Sequence, residues 1–314
     1  MCAKVGSRTM LTRTTDSPAQ LATPTELRRW ALRCHAAGMT VGLVPTMGAL
    51  HAGHRSLMRR AVSECDRVVV SIFVNPAQFG PGEDFERYPR ALAGDLALVT
   101  EERVDAVFVP SAGAIYPPTM STGVTVHGIT QRFEGEFRPG HFEGVALVVA
   151  KLFISCRPDR AYFGRKDAQQ CAVVTRIAED LDTGVQVVVC PTVRDCDGLA
   201  LSSRNANLTR EDRLQARAIP TGLAAAADLY AAGERSSAGL RRAVENELDA
   251  ASIEADYVAV VDSSDFADVA TARSGCEILV AARIGGTRLI DQLRLGLDKT
   301  PVIDGAAGAL CSGF

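Results

Sequence analysis

Apolar residues in the first part of the chain fall in short runs, separated by stretches with helical periodicity. The runs predict buried strands near residues 41–45, 67–74, 105–110, 160–163 and 185–193. The periodic stretches predict helices near residues 24–38, 54–62, 90–102, 142–156 and 167–181. The 67–74 run is continuously apolar, which suits the interior of a parallel sheet. Strands that alternate with helices predict an α/β fold with a doubly wound, mostly parallel sheet.

The pattern changes after about residue 191. Two helices and two strands are predicted there, at residues 209–230 with an interruption at Pro220, 237–248, 257–261 and 277–283. A turn over residues 284–286 follows the second strand. We therefore expect a first domain over residues 1–192 and a smaller α+β domain over residues 193–314, laid over the mouth of the first.

The composition, with 47% hydrophobic and 23% charged residues, is that of a globular protein able to build a full core. A net charge of −3 gives no overall attraction to nucleic acid or anionic lipid. No apolar run reaches the ~18 residues that a membrane span needs. Nine cysteines without a Cys-x-x-Cys pair indicate reduced thiols in a cytoplasmic protein and argue against zinc. We expect frayed ends over residues 1–15 and from Asp298 onward.

Two histidines follow the first of these buried strands. His51 and His54 stand where the strand gives way, through a glycine-containing turn, to a helix. The N-terminus of a helix attracts phosphates, and imidazoles three residues apart add donors that can become cationic near neutral pH. The spacing His-x-Gly-His therefore predicts nucleotide binding. The alternative is a pair of exposed residues that cap the helix.

Polar residues also follow three other predicted strands. They are Asn75 to Gln78, Gly164 to Asp167 with Gln169 and Gln170 just beyond, and the stretch 194–205. The carboxyl ends of parallel strands meet at one edge of an open sheet, where such folds bind their ligands. We expect these groups to converge with the histidine pair on one site, although any one stretch alone could be a solvated loop.

Five ordered motifs resemble those of the pantoate–β-alanine ligase (pantothenate synthetase) family. They are Pro45-Thr-Met-Gly-Ala-Leu-His51-Ala-Gly-His54, Ser71-Ile-Phe-Val-Asn75-Pro-Ala-Gln78-Phe79, Arg138-Pro-Gly-His141-Phe142, Gly164-Arg-Lys166-Asp167 and Asp197-Gly-Leu-Ala-Leu-Ser202-Ser203-Arg204-Asn205. The resemblance extends from about residue 40 to about residue 295 and includes the stretch 279–291. It implies a Rossmann-like sheet of the HxGH nucleotidyltransferase superfamily.

The resemblance also implies a reaction in two steps. Pantoate attacks the α-phosphate of ATP to give pantoyl adenylate and pyrophosphate, and the amine of β-alanine then displaces AMP. ATP, pantoate and β-alanine are thus the expected small-molecule partners. The family further implies Mg²⁺ with the ATP and a cytoplasmic homodimer.

By the same resemblance, each motif residue receives an expected role. The residues expected to act in catalysis are His51, His54, Lys166, Ser202, Ser203 and Arg204. Those expected to bind ATP are Met47, Gly48, Ala49, Leu50, His51, Ala52, Gly53, His54, Gly164, Arg165, Lys166, Asp167, Val193, Leu201, Ser202, Ser203 and Arg204. Those expected to bind pantoate are Pro45, Met47, Gln78 and Gln170, with Gln78 also meeting β-alanine. Asp95 is the expected metal ligand. Arg138 and His141 either bind ligand or order the stretch 133–142.

The chain departs from the family pattern at four positions. Ala52 and Arg165 stand where glutamate is usual, Ala168 where an aromatic residue is usual, and Leu201 where methionine is common. These departures keep open a nucleotide-binding regulatory protein without turnover. A nucleotidyltransferase acting on another acid or on a phosphate ester is disfavoured, because glutamines at 78 and 170 supply no cation for a phosphorylated acceptor. An aminoacyl-tRNA synthetase is disfavoured by the short, acidic chain.

Overall fold

The computed structural model describes residues 17–301 of the chain. Six strands form its larger sheet: β1 (Ala19–Leu21), β2 (Val41–Thr46), β3 (Arg67–Ile72), β4 (Ala106–Phe108), β5 (Arg160–Gly164) and β6 (Gln186–Cys190). Their order is β1-β4-β3-β2-β5-β6, and every neighbouring pair is parallel. The predicted α/β fold with a doubly wound sheet is confirmed. Strand β1 was not predicted, because three residues are too few to show a pattern.

Helices cover both faces of this sheet. They are α1 (Pro24–Ala36), α2 (Ala52–Glu64), α3 (Leu92–Glu101), α4 (Ala112–Ile115), α5 (Glu134–Phe137), α6 (His141–Cys156) and α7 (Ala168–Asp180). One buried cluster joins α1, α6 and α7 to the sheet, and a second joins α2 and α3 to the opposite face. Helix α1 begins at a reciprocal cap between Thr23 and Glu26, which also fixes Pro24 at its first position.

The second part of the chain has a separate core. It contains α8 (Arg210–Ala216), α9 (Ala218–Ala231) and α10 (Ser237–Ala250), with β7 (Ala255–Val261), β8 (Glu277–Ile284) and β9 (Thr287–Arg294) in an antiparallel sheet of order β7-β8-β9. Its apolar cluster includes Leu223, Leu240 and Ile278. These elements confirm the predicted smaller α+β part. The division at residues 1–192 and 193–314 stays a proposal, supported by the separate cores.

Two details of this part differ from the sequence prediction. The long helix breaks at Arg217, and Pro220 lies within the first turn of α9, where its missing N–H is not needed. Strand β9 was not predicted, because buried Asp291 and Gln292 interrupt its apolar alternation. The predicted turn before it is a tight hairpin in which Gly285 and Gly286 both have positive φ.

Other predictions from composition have mixed outcomes. The described cysteines that are buried thiols are Cys34, Cys65, Cys156, Cys171, Cys190 and Cys276. Cys196 is disulfide-bonded, so the prediction of a reduced thiol is wrong at that position. No helix within residues 17–301 is long and apolar enough to cross a membrane. The frayed ends that we expected lie outside the described residues, except for 298–301, where Asp298 is held by Arg294.

The order of the strands places the site. The chain moves outward from β2 through β3 and β4 on one side, then returns to β5 and β6 on the other. The carboxyl ends of β2 and β5 therefore flank a crevice at the point where the strand order reverses, which is where open α/β sheets bind ligands. His51 and His54 follow β2, and Lys166 follows β5.

Candidate active site

One cavity at this crevice collects most of the predicted site residues. Those that line it are Pro45, Met47, His51, Gly53, His54, Gln78, Gly164, Lys166, Asp167, Gln170, Val193, Leu201, Ser202, Ser203 and Arg204. Those that do not line it are Gly48, Ala49, Leu50, Ala52, Asp95 and Arg165. Side chains from four distant stretches of the sequence therefore surround one space.

The histidine pair caps helix α2 and faces the cavity at the same time. His51 is the N-cap residue, and its Nδ1 accepts the backbone N–H of Gly53 at 3.1 Å. The backbone N–H of His51 donates in turn to Nδ1 of His54 at 3.3 Å. The two ring centroids are 4.1 Å apart. The capping alternative is thus correct about these bonds, but the rings are half-buried in the cavity wall rather than exposed.

Both rings are neutral in the free chain at pH 7. Burial, followed by repulsion from Lys166, lowers the pKa of His51 to about 4. Burial, followed by the neighbouring His51 and Lys166, holds the pKa of His54 well below its ordinary value. Because each Nδ1 accepts a backbone N–H, the ring proton lies on Nε2. The expectation of rings that titrate near neutral pH is wrong for the free chain, where they serve as uncharged N–H donors.

The carboxylate of Asp95 supports the turn before α2. It is buried, and its two oxygens accept the backbone N–H groups of Ala49 at 3.0 Å and Leu50 at 2.8 Å. Asp95 lies outside the cavity lining, so the structure gives this side chain a different position from that of a metal ligand. Its hydrogen bonds hold the backbone that leads into the histidine pair.

A chain of amides fixes Gln78 at the edge of the cavity. Asn75 Oδ1 accepts the backbone N–H of Ala77 at 3.2 Å, so Asn75 Nδ2 faces Gln78 Oε1 at 3.0 Å and the carbonyl of Gly144 at 3.1 Å. The side-chain nitrogen Nε2 of Gln78 therefore lies on the other side and donates to Met47 Sδ at 3.1 Å, and a thioether sulfur is a weak acceptor. Gln78 therefore presents an N–H donor that a ligand oxygen can satisfy better.

The two adjacent glutamines of α7 have different environments. Gln169 is buried, and its amide donates to the carbonyls of Ile129 and Arg132 and accepts the backbone N–H of Glu134. Gln170 is half-buried, and its side-chain amide has no hydrogen-bond partner within the described part of the chain. Gln169 therefore anchors the segment before α6, whereas Gln170 is available to a ligand.

Lys166 points into the cavity near the histidines. It belongs to a 3₁₀ turn over Arg165–Asp167 that directly follows β5. Its ammonium approaches Asp167 Oδ1 at 3.8 Å, and its charge contributes to the lowered pKa of His51 and of His54. A cation thus stands beside two neutral N–H donors at the start of α2.

The loop that carries Ser202, Ser203 and Arg204 closes another wall. Ser203 Oγ donates to the carbonyl of Ala49 at 3.1 Å, which joins this loop to the turn before α2. The guanidinium of Arg204 forms a two-pronged ion pair with Asp84 at 2.7 and 2.9 Å. In this structure Arg204 is thus already paired with a carboxylate, which an incoming phosphate would have to displace.

Arg138 and His141 belong to a buried network rather than to an open surface. Arg138 forms a two-pronged ion pair with Glu83. His141 Nδ1 donates to the carbonyl of Gln78 at 2.9 Å, so its Nε2 accepts from Arg138 at 3.3 Å. Burial, followed by Arg138, lowers the pKa of His141 to about 4. These contacts position the Gln78 backbone, and both side chains also line the cavity.

A family model described as pantoate-β-alanine ligase matches residues 19–294, which is most of the chain. The chain belongs to the pantoate–β-alanine ligase family. The resemblance inferred from the motifs is therefore confirmed. The pantothenate synthetase of Acidothermus cellulolyticus is 53% identical over 268 residues, covering 83% of this chain and 88% of the relative. That of Roseiflexus sp. is 51% identical over 253 residues, covering 80% and 91%.

Solved structures of the family share this fold. Pantothenate synthetase from Thermus thermophilus has a TM-score of 0.82 at 45% identity, covering 88% of this chain and 99% of its own. Pantoate-β-alanine ligase from Francisella tularensis, complexed with β-γ ATP and β-alanine, has a TM-score of 0.73 at 32% identity, covering 88% and 97%. The fold of this chain is thus that of experimentally solved members of the family.

The four departures from the family pattern lie in different places. Ala52 is exposed on the first turn of α2, and Arg165 leaves the cavity for Glu277. Ala168 and Leu201 are both in the cavity wall. Two departures therefore alter the shape of the wall, and none removes a donor.

The second part of the chain supplies cavity residues that the motifs did not single out. They are Tyr257, Leu279, Ile290, Asp291 and Gln292. Asp291 is held by a two-pronged ion pair with Arg194, at 2.6 and 3.0 Å. Tyr88 and Glu134 of the first part also line the cavity and were not predicted. Tyr88 and Glu134 do not directly follow a predicted strand, whereas the other site residues were predicted because polar residues follow predicted strands.

Proposed function

We propose that this chain is an AMP-forming pantoate–β-alanine ligase that makes pantothenate through pantoyl adenylate. Membership of the family supports the substrates, and the relative solved with β-γ ATP and β-alanine supports two of them. The observation that carries the proposal is the convergence of His51, His54 and Lys166 with Gln78 and Gln170 around one cavity. The expected phosphate-binding and acid-binding groups thus line the same cavity.

The first step transfers the adenylyl group. A carboxylate oxygen of pantoate attacks the α-phosphorus of ATP, the bond to the bridging oxygen breaks, and pyrophosphate leaves. This displacement needs positioning and charge neutralisation more than covalent help. His51 and His54 donate Nε2–H bonds to the phosphates at the N-terminus of α2, and Lys166 neutralises charge on the transferring group. Ser202, Ser203 and Arg204 serve the triphosphate from the loop that Ser203 joins to the turn before α2.

Pantoate occupies the side of the cavity next to the glutamines. It carries a carboxylate, two hydroxyls and a gem-dimethyl group. The free amide hydrogens of Gln78 and Gln170 bind its oxygens, and Pro45 and Met47 contact its methyl groups. Neutral donors suit this role, because a fixed cation would stabilise the carboxylate and make it a poorer nucleophile.

The second step forms the amide. The neutral amine of β-alanine attacks the acyl carbon of the adenylate, AMP leaves, and the amine gives up a proton. Gln78 stands at the junction between pantoate and the incoming amine. The second part of the chain covers the cavity through Tyr257 and Asp291, which helps to exclude water from the reactive adenylate.

Magnesium is the cofactor that the family implies. Within residues 17–301, no group of three or more His, Cys, Asp or Glu side chains is arranged to hold a metal ion. The described residues therefore do not form a protein cage for magnesium. We propose that the ion arrives on ATP, with phosphate oxygens and water as its main ligands. We further propose that the enzyme is a cytoplasmic homodimer.

The proposed activity is tested by product analysis. The purified chain is incubated with ATP, pantoate and β-alanine, and the products are separated by mass spectrometry. We expect pyrophosphate as one product, and AMP together with an amide of the mass of pantothenate only when all three substrates are present. ADP in place of AMP, or binding of ATP with no turnover, would reject the proposal. The second outcome would favour the regulatory alternative.

A further inference from the structure

Arg165 stands beside Lys166 but directs its side chain to another part of the molecule. Gly164, Lys166 and Asp167 line the cavity, whereas Arg165 does not. Its Nη1 donates to Glu277 Oε1 at 3.1 Å. Glu277 is the first residue of β8. This ion pair therefore joins the turn after β5 to the antiparallel sheet of the second part.

Both side chains of this pair are withdrawn from water, and burial raises the pKa of Glu277 to about 7, although the neighbouring Arg165 opposes the rise. The side chain of Arg165 is 17% exposed and that of Glu277 is 2% exposed. Arg294 lies opposite Glu277 in the β8–β9 ladder, but its guanidinium donates to Asp298. Within residues 17–301, Arg165 is thus the cation that is hydrogen-bonded to the buried Glu277 carboxylate, whose Oε2 has no partner there.

Lys166 depends on its backbone for its position. Within the described residues its ammonium approaches only Asp167, the next residue in the chain. The turn over Arg165–Asp167 has no side-chain cap at its start. The turn runs directly from β5 into α7, and the buried link from Arg165 to Glu277 adds a side-chain tie from it to the second part of the chain.

We propose that Arg165 is a positioning residue for adenylation, and that its ion pair with Glu277 holds Lys166 at the transferring phosphate. The inference rests on the function proposed above. It also explains the departure at this position. With glutamate in place of Arg165, as is usual in the family, the same contact would bring two carboxylates together. Glu277 is then the residue that accommodates the arginine of this chain.

The test measures pantoate-dependent exchange of labelled pyrophosphate into ATP for the parent and four variants. Arg165→Glu creates the carboxylate pair, and Arg165→Glu with Glu277→Arg reverses the ion pair. Glu277→Gln removes one charge while keeping the shape of the side chain. Asp268→Asn is the matched control, because Arg132–Asp268 also joins the two parts but is exposed and longer, at 3.9 Å. Thermal unfolding is recorded for each variant.

Displacing a reacting group by about 1 Å costs on the order of 100-fold in rate. We expect Arg165→Glu to lower kcat of the exchange about 100-fold and Glu277→Gln about tenfold, with KM for pantoate within about twofold of the parent. The reversed pair should return kcat to within about fivefold of the parent, and Asp268→Asn should leave it unchanged.

Two results would overturn the inference. One is a parent-like kcat in both Arg165→Glu and Glu277→Gln. The other is a reversed pair that melts like the parent but turns over no faster than Arg165→Glu. A parent that shows no exchange at all would instead reject the proposed function, so the two failures are distinguishable.

Discussion

Replacing Asn75 with alanine should weaken pantoate binding and leave ATP binding unchanged. The side chain is 1% exposed. It accepts from Tyr116 Oη at 2.6 Å and from Ala77 N, and it donates to Gln78 Oε1 and Gly144 O. At about 1 kcal/mol for each net hydrogen bond, the four bonds stabilise the fold by about 4 kcal/mol. Since domains are stable by about 5–15 kcal/mol, the variant should still fold but unfold at lower urea.

One of these four bonds orients the ligand-binding amide of Gln78. If the loss of this bond weakens the binding free energy of pantoate by about 1 kcal/mol, KM for pantoate rises about fivefold. The assay is pyrophosphate exchange, measured against pantoate at saturating ATP and then against ATP at saturating pantoate. As a control, Asn75→Ala is also made in the Gln78→Ala variant. If Asn75 acts through Gln78, Asn75→Ala adds nothing to KM for pantoate there. Equal rises in both KM values, or a further fivefold rise when Asn75→Ala is added to Gln78→Ala, would show that Asn75 does not act through Gln78.

Three further predictions concern the cavity and the packing that supports it. Gln78→Ala should raise KM for pantoate more than KM for ATP in the exchange assay, and equal losses would place the amide elsewhere. The rings of His51 and His54 should stay neutral at pH 6, because burial lowers the pKa of His51 to about 4 and holds that of His54 well below its ordinary value, and each Nδ1 already accepts a backbone N–H; NMR signals of these two rings that titrate near pH 6.5 would contradict this. Gly144→Ala should lower the melting temperature by several degrees, because its Cβ would lie 2.1 Å from the carbonyl oxygen of Ala77, and parent-like melting would contradict that clash.

The elements that carry the site could be predicted from the sequence because their patterns are local. The apolar run of β2, the glycine-containing turn and the helical spacing after His54 are visible without any tertiary contact. Parallel pairing then forces the ends of β2 and β5 to the same edge of the sheet. The approach of Lys166 to the histidines follows from that topology.

The roles of single side chains could not be predicted where a distant partner decides them. Asp95 looked like a metal ligand, but backbone N–H groups 45 and 46 residues away take up its oxygens. Gln169 and Gln170 are identical neighbours, and only the packing of α7 separates an anchor from a ligand-facing amide. Arg165 adjoins Lys166 but pairs with a carboxylate 112 residues away.

The same limit applies to the wall formed by the second part of the chain. Tyr257 lies in a strand whose pattern predicts only a buried sheet, and Asp291 lies in β9, which the pattern does not predict at all. Their place in the cavity depends on how that sheet packs against the first part, which no local spacing encodes. A search for charged residues at the start or end of predicted strands could have found Glu277 but not its partner.

We propose that side chains distant in the sequence converge on one triphosphate and drive adenylation of an acid. Pantoate-dependent exchange of labelled pyrophosphate into ATP, without β-alanine, tests it most directly. We expect exchange by the parent and a loss on the order of 10²–10³-fold in folded His54→Ala and Lys166→Ala. Exchange at the parent rate in both folded variants would show that these two side chains do not drive adenylation.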